Sequence, residues 1–134
     1  MPKLFVHAPQ GTFTAEARSR VAAALTDLGI TCERLADTAK VRAGVWVFFT
    51  EHAPDAVFSG GQIAQNPLIA LIANTLEGGL DDHSKKKLIA DATAILREHA
   101  GANGDQLPVY VVIHEVPELD WGMYGQQVSL AALR

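Results

Sequence analysis

Cysteine is almost absent from this chain, and its single residue, Cys32, excludes an intramolecular disulfide and a thiolate metal cluster. Long apolar runs are missing too, since no stretch approaches the roughly 18 consecutive apolar residues of a membrane-spanning helix. Positive charge is not in excess, because 11 Lys and Arg residues stand against 15 Asp and Glu residues. The N-terminus lacks the segments of a signal peptide. These absences predict a cytoplasmic protein that binds neither nucleic acid nor membrane.

The length and the apolar content of the chain predict one folded domain. The chain has 134 residues, of which 49% are apolar, a content typical of globular proteins. Its five histidines show no paired spacing such as HExxH, so we expect neither a metal ion nor another cofactor.

An internal repeat dominates the sequence. VWVFFTEHAPDAVFSGGQ, beginning at Val45, is similar to VYVVIHEVPELDWGMYGQ, beginning at Val109, at a constant offset. The alternative is a chance similarity between short amphipathic segments. The repeat predicts a single domain, residues 1–134, made of one repeat over about 1–62 and a second over about 67–130.

Each repeat is predicted to contain a strand, a helix and a strand. Thr14 and Asp81 are typical helix N-caps, and Gly29 and the segment 101–104 are predicted to end the helices. The alternation of apolar residues predicts strands over 3–8, 45–50, 68–74 and 109–115, and helices over 15–28 and 82–100.

The predicted fold class is α+β. Two tandem β-α-β units would form a four-stranded sheet, with both helices on one face because such crossovers are right-handed. Leu4, Val6, Val45 and Val47 are expected to make the opposite face apolar. An apolar face of this kind needs a cover, and a second copy of the chain is the simplest one.

A proline directly follows the initiator methionine. Pro2 is compatible with a simple role as the first residue of a strand, where a missing N–H does no harm. The alternative begins with removal of Met1, which would give Pro2 a free secondary amine. Such an amine is a potential base or nucleophile, whereas an amide nitrogen is neither.

Pro2 before a strand, the two β-α-β repeats, and the strand ends FFTEHAPDAVFSGGQ and IHEVPELDWGMYGQ together resemble the tautomerase superfamily. Its type member is 4-oxalocrotonate tautomerase (4-OT). A chain with two repeats is similar to the fused members, such as cis-3-chloroacrylic acid dehalogenase and malonate semialdehyde decarboxylase. The resemblance implies a homotrimer and a small-molecule substrate, with Pro2 as the catalytic acid or base.

Further site residues follow from the same resemblance. Glu115 matches the water-activating glutamate of the dehalogenase, and a turn or interface partner is the alternative role for such a residue. Trp121 aligns with an aromatic residue of the tautomerase pocket, with packing at a trimer contact as the alternative. Trp46 and Tyr110 are either pocket residues or ordinary strand packing.

The arginines that hold substrate carboxylates in the superfamily are absent here. Thr12, Gly79, Trp46 and Tyr110 occupy their positions. Backbone amides near Gly78 and Gly79, or Arg42, are the candidate replacements, and an ordinary surface role is the alternative for Arg42. The predicted activity is keto-enol tautomerisation, or a related proton transfer, on a small unsaturated oxo acid. The alternatives are a hydratase, dehalogenase or decarboxylase of a three-carbon acid, and a non-catalytic trimeric ligand-binding module.

Overall fold

The computed structural model of the protein describes residues 1–101 and 104–134; part of the segment 101–104, predicted to end the second helix, therefore lies outside the described residues. The main elements are, in chain order, β1 (Lys3–Pro9), α1 (Ala15–Glu33), α2 (Ala39–Ala43), β2 (Trp46–His52), β3 (Phe58–Ser59), β4 (Gln62–Ile63), β5 (Ile69–Leu76), α3 (Asp82–His99), β6 (Val109–Val116), β7 (Gly122–Met123) and β8 (Gln126–Gln127).

One mixed sheet with the strand order β2-β1-β5-β6 organises the molecule. β1 is parallel to β2, β5 is parallel to β6, and the two parallel pairs join through the antiparallel contact of β1 with β5. α1 connects the first pair and α3 connects the second. A short hairpin follows each pair, formed by β3 with β4 and by β7 with β8. The predicted α+β fold with its four-stranded sheet is confirmed.

Side-chain caps begin both long helices. The Thr14 hydroxyl accepts a hydrogen bond from the Ala17 N–H, and the Asp81 carboxylate accepts one from the Ser84 N–H. These bonds satisfy backbone donors that have no partner within the helix. Both predicted caps are therefore confirmed.

The first helix does not end at Gly29, contrary to the prediction. α1 continues to Glu33 and ends at Arg34, whose φ of 55° is left-handed and whose N–H bonds back to the last turn. Gly29 lies inside the helix, and glycine is required there because a side chain would have no room. A Cβ atom on it would lie 2.7 Å from Cγ of Pro2. Glycine serves close packing at this position rather than a helix end.

The core lies between the sheet and the helices; it includes the buried residues Leu4, Val6 and Val45, and Val47 packs against it. The expectation that these residues form the opposite face was therefore wrong. Side chains alternate along a strand, and the phase of that alternation depends on which face the helices cover. The opposite face instead carries Trp46, Phe48 and Tyr110, with 41%, 47% and 61% of their surfaces exposed.

Residues 1–101 and 104–134 contain no helix with both the length and the apolar character needed to cross a bilayer.

Candidate active site

The N-terminus is packed into the protein rather than exposed. Met1 is 9% exposed and Pro2 is fully buried, with its ring against Gly29 of α1. The Pro2 carbonyl accepts a hydrogen bond from the Trp46 N–H at 3.3 Å, directly before the first paired residues of β1 and β2. The structure contains Met1, so the Pro2 nitrogen here belongs to an amide.

A buried carboxylate faces this terminus. Glu33, 1% exposed, places Oε2 at 3.8 Å from the amino nitrogen of Met1. Its Oε1 accepts a bond from the Leu76 N–H at 3.4 Å. Burial raises the pKa of Glu33, although the amino group opposes this effect. Burial likewise lowers the pKa of the Met1 amino group, and here the negative charge of Glu33 opposes it.

Two buried polar atoms near the start of β1 have no hydrogen-bond partner among the described residues. They are Oε2 of Glu33 and the hydroxyl oxygen of Thr75. Thr75 follows Asn74, which pairs with Lys3 across the β1–β5 contact. Since buried polar atoms nearly always have a partner in native proteins, this end of the strand is suited to receive a further polar group.

The side chain of Lys3 lies on the face of the sheet away from the helices. Its side chain is buried, and its Nζ donates to the carbonyl oxygens of Met1 and Gly44. The same atom lies 5.0 Å from the ring centre of Trp46 and 5.4 Å from that of Trp121. Burial lowers the pKa of Lys3 to about 8, against the opposing charge of Glu33. Lys3 was not predicted as a site residue, because the alternation of apolar residues over 3–8 indicates only a strand.

A cleft of about 560 Å³ opens beside Lys3 on the face of the sheet away from the helices. We call it the aromatic cleft. It is lined by Lys3, Phe5, Trp46, Phe48, Asn74, His114, Val116, Asp120, Trp121, Gly122 and Met123. Of the predicted substrate-binding residues, the aromatic cleft brings Trp46 and Trp121 together. Among the described residues that line it, Lys3 is the one with an amine, and none is an arginine.

Tyr110 lies elsewhere on the same face of the sheet. It contributes to a second cleft of about 400 Å³, whose lining also includes His7 and His52. The two histidines are stacked, with Nδ1 of His7 at 3.0 Å from Nε2 of His52. The structure therefore separates Tyr110 from the two tryptophans within a single chain.

Glu115 and Arg42 are engaged in ion pairs outside the aromatic cleft. Glu115, on the helix-facing side of β6, accepts from Nζ of Lys85 at 2.7 Å. Arg42 bonds the exposed carboxylates of Asp27 and Asp37, and these bonds raise its pKa. Within this single chain, Glu115 and Arg42 therefore form surface ion pairs and do not line the aromatic cleft.

Gly79 lies behind the site rather than in the aromatic cleft. Its N–H donates to the Leu76 carbonyl at 3.0 Å, and its carbonyl accepts from Arg134. A Cβ atom on Gly79 would lie 3.1 Å from Oε1 of Glu33. Gly79 thus leaves room for the buried carboxylate, while its own amide is already occupied.

Among the described residues, no group of three or more His, Cys, Asp or Glu side chains is arranged to hold a metal ion. The chemistry-bearing groups near the N-terminus are instead two amines, a carboxylate and a hydroxyl, next to aromatic walls. Groups of these types are able to take up and release protons.

Comparison with known proteins finds one family and a group of solved structures that are similar to this chain. Residues 70–131 match the family described as "Tautomerase enzyme". No curated protein sequence matches the chain. The family match thus covers the second half of the chain, and the chain as a whole has the fold of the fused 4-OT structures. The superfamily resemblance predicted from the sequence is confirmed.

Several solved structures share the fold over nearly the whole chain. Pt0534, inactivated by 2-oxo-3-pentynoate, has a TM-score of 0.77 and 21% identity, covering 97% of this chain and 98% of its own. The symmetric trimer of the fused 4-OT named Q0 has a TM-score of 0.74 and 24% identity, covering 97% of each chain. N1, of the cis-3-chloroacrylic acid dehalogenase family, has a TM-score of 0.75 and 23% identity, covering 95% of this chain and 83% of its own.

Proposed function

We propose that removal of Met1 exposes the secondary amine of Pro2, which then acts as general acid and base. The reaction is keto-enol tautomerisation, or a related proton transfer, on a small unsaturated oxo acid. The observation that carries this proposal is the burial of Pro2 between Gly29 and the start of β1, directly before Lys3 of the aromatic cleft. Gly29 leaves the space that the Pro2 ring occupies, so the Pro2 nitrogen has a fixed position beside β1.

The surroundings suit a base that works near neutral pH. An unperturbed terminal amine has a pKa near 8, and burial favours its uncharged form. The neutral Pro2 nitrogen would take a proton from the enol hydroxyl or from carbon next to a carbonyl. The resulting ammonium would return a proton to the other end of the conjugated system. Trp46 and Trp121 would provide apolar surfaces for that planar system.

Glu33 is the acid that partners the amine in this proposal. It lies one helical turn after Gly29, so both residues face the N-terminus from α1. Its carboxylate already lies near the terminal amino group of the chain that carries Met1. After removal of Met1, the same buried carboxyl would hold the ammonium form of Pro2 while a proton is carried.

We further propose a homotrimer in which copies of the chain cover the exposed aromatic face. Trp46, Phe48 and Tyr110 are all more than one third exposed on this face. The Q0 relative is described as a trimer. In such an assembly, Tyr110 and Trp46 would lie at or near subunit contacts. We also propose that the chain is one domain of two repeats, as the sequence predicted, and that it works in the cytoplasm.

Among the alternatives, the dehalogenase resemblance assigns Glu115 the role of activating a water molecule. That residue pairs with Lys85 on the helix-facing side of β6, outside the aromatic cleft. Tautomerisation does not require a water-activating carboxylate and is therefore the activity that we favour. A catalytic role of Glu115 stays part of the alternative.

Intact mass of the purified protein first establishes whether Met1 is removed. The mature protein is then compared with Pro2→Ala in the ketonisation of phenylenolpyruvate. Alanine at position 2 also allows removal of Met1. The mature variant therefore begins with a primary amine, whereas the wild-type protein begins with the secondary amine of the proline ring. We expect a loss of about 100-fold or more in kcat/KM, in the range typical of general acid-base groups. Equal rates for the two proteins would favour the non-catalytic binding module.

A further inference from the structure

We propose that Lys3 binds the substrate carboxylate in place of the arginines that this chain lacks, and that removal of Met1 frees its ammonium group to do so. The inference rests on the proposed function of the site. It also narrows the substrate class: one ammonium in an aromatic cleft suits a planar monocarboxylate rather than a dicarboxylate.

The position of Lys3 supports this role. Lys3 is the third residue of the chain, so its neighbour in sequence is Pro2, but the alternation of β1 sends its side chain to the open face. There its Nζ lies over the rings of Trp46 and Trp121, which line the aromatic cleft. A carboxylate on Nζ would bring an attached conjugated chain between these rings.

Hydrogen-bond accounting explains the link with Met1. A lysine ammonium has three N–H donors. In the chain that carries Met1, Nζ donates to the carbonyl oxygens of Met1 and Gly44, which occupies two of them. Removal of Met1 takes away one acceptor and leaves Gly44 to position the group. Two donors then remain for the two oxygens of a carboxylate.

The charges around Nζ disfavour the binding of a second anion. Glu33 acts on Lys3 from the helix side of the sheet, and Asp120 belongs to the lining of the aromatic cleft. Both carboxylates would repel a second substrate carboxylate, and the described lining of the aromatic cleft offers no Lys or Arg besides Lys3 to hold it. Burial in apolar surroundings strengthens the one pair that forms, because the effective dielectric constant is low there.

Binding of an unreactive acid tests the inference without turnover. The probes are cinnamate and its neutral counterpart cinnamamide, which have the same planar skeleton. Calorimetric titration of the mature protein, with Met1 loss verified by mass, should give at least about tenfold tighter binding of cinnamate, as expected for a charge-assisted hydrogen bond. Equal affinities for the acid and the amide in the wild-type protein would overturn the proposal, and this comparison needs no variant.

Variants then assign the effect to Lys3. Lys3→Gln should reduce cinnamate affinity about tenfold or more and leave cinnamamide affinity unchanged. Lys87→Gln is the matched control, because Lys87 pairs with Asp91 on the exposed surface of α3. Unchanged cinnamate affinity in Lys3→Gln would also overturn the proposal, and so would an equal loss for both probes.

A third arm tests the role of Met1. Protein produced with methionine excision blocked should bind cinnamate about tenfold more weakly than the mature protein, because the Met1 carbonyl then competes for Nζ. Equal binding by the two forms would contradict the release of Lys3. Since no arm measures catalysis, failure of the proton-transfer activity and failure of this inference give different results.

Discussion

The carboxylate of Glu33 and the amino group of Met1 lie 3.8 Å apart in a place that solvent barely reaches. Burial moves the pKa of the acid upward and that of the amine downward. The two shifts bring the pKa values of the two groups closer together than they are in water. We infer that the Pro2 amine would meet the same carboxyl after removal of Met1.

The first prediction concerns the pH dependence of stability. Because the pKa of Glu33 is raised in the folded protein, its favourable contribution is complete below the ordinary value of 4.5 and is lost as pH rises through the folded value. Glu33→Gln should remove this loss and make the free energy of unfolding less dependent on pH, because glutamine has no carboxyl group to ionise in the buried site. Urea titrations from pH 4 upward measure the effect.

Glu16→Gln is the control for that experiment, because Glu16 also lies on α1 but forms an exposed pair with Arg20. It should leave the slope of stability against pH almost unchanged. If Glu33→Gln kept the slope of the wild-type protein, the buried carboxyl would not be the group that titrates.

The second prediction uses Gly44 to distinguish the two forms of the N-terminus. A Cβ atom on Gly44 would overlap the sulfur of Met1, whereas its φ of −87° suits any residue. Gly44→Ala should therefore destabilise the Met1-retaining protein by about 1–2 kcal/mol through overpacking, and the mature protein by much less. Paired urea titrations of the two forms measure this difference.

An equal effect of Gly44→Ala on both forms would contradict this account of the space beside Met1. Ala43→Gly, at an exposed position of the same turn, is the control and should affect both forms alike.

The third prediction concerns the contact between α1 and Pro2. Gly29→Ala would place a methyl group 2.7 Å from Cγ of Pro2, so the proline ring must shift. We expect the overpacking cost of about 1–3 kcal/mol to exceed the gain of about 1 kcal/mol from the higher helix propensity of alanine. Activity on phenylenolpyruvate should fall as well, because the amine moves with the ring.

Ser19→Ala, on the exposed side of the same helix, should change neither property measurably. Full activity in Gly29→Ala would mean that the position of the Pro2 ring is not critical for the reaction.

The sequence predicted the architecture well because the signals for it are local. Thr14 and Asp81 cap their helices where expected, since a cap depends on residues only three positions away. The face assignment of Leu4 and Val6 failed because alternation does not show which face the helices cover. The end assigned to α1 failed because Gly29 serves a contact with Pro2 that is distant in sequence.

The site was only partly predictable for the same reason. The resemblance predicted Pro2, Trp46 and Trp121 as site residues, and the structure brings the two tryptophans into one cleft. Glu33 was not among the candidates, because a helix ending before Gly29 excludes it from the buried face. Lys3 was missed since its importance comes from Gly44 and two tryptophans on other elements. Contacts of this kind arise from the fold and leave no local pattern in the sequence.

The most direct test of the central claim is an NMR titration of the Pro2 nitrogen in the mature, assembled protein, labelled with nitrogen-15 at proline. We predict that its pKa lies clearly below that of the same proline at the head of a short peptide, because burial beside Gly29 and β1 disfavours the charged amine. A value equal to or above that of the peptide would contradict the account.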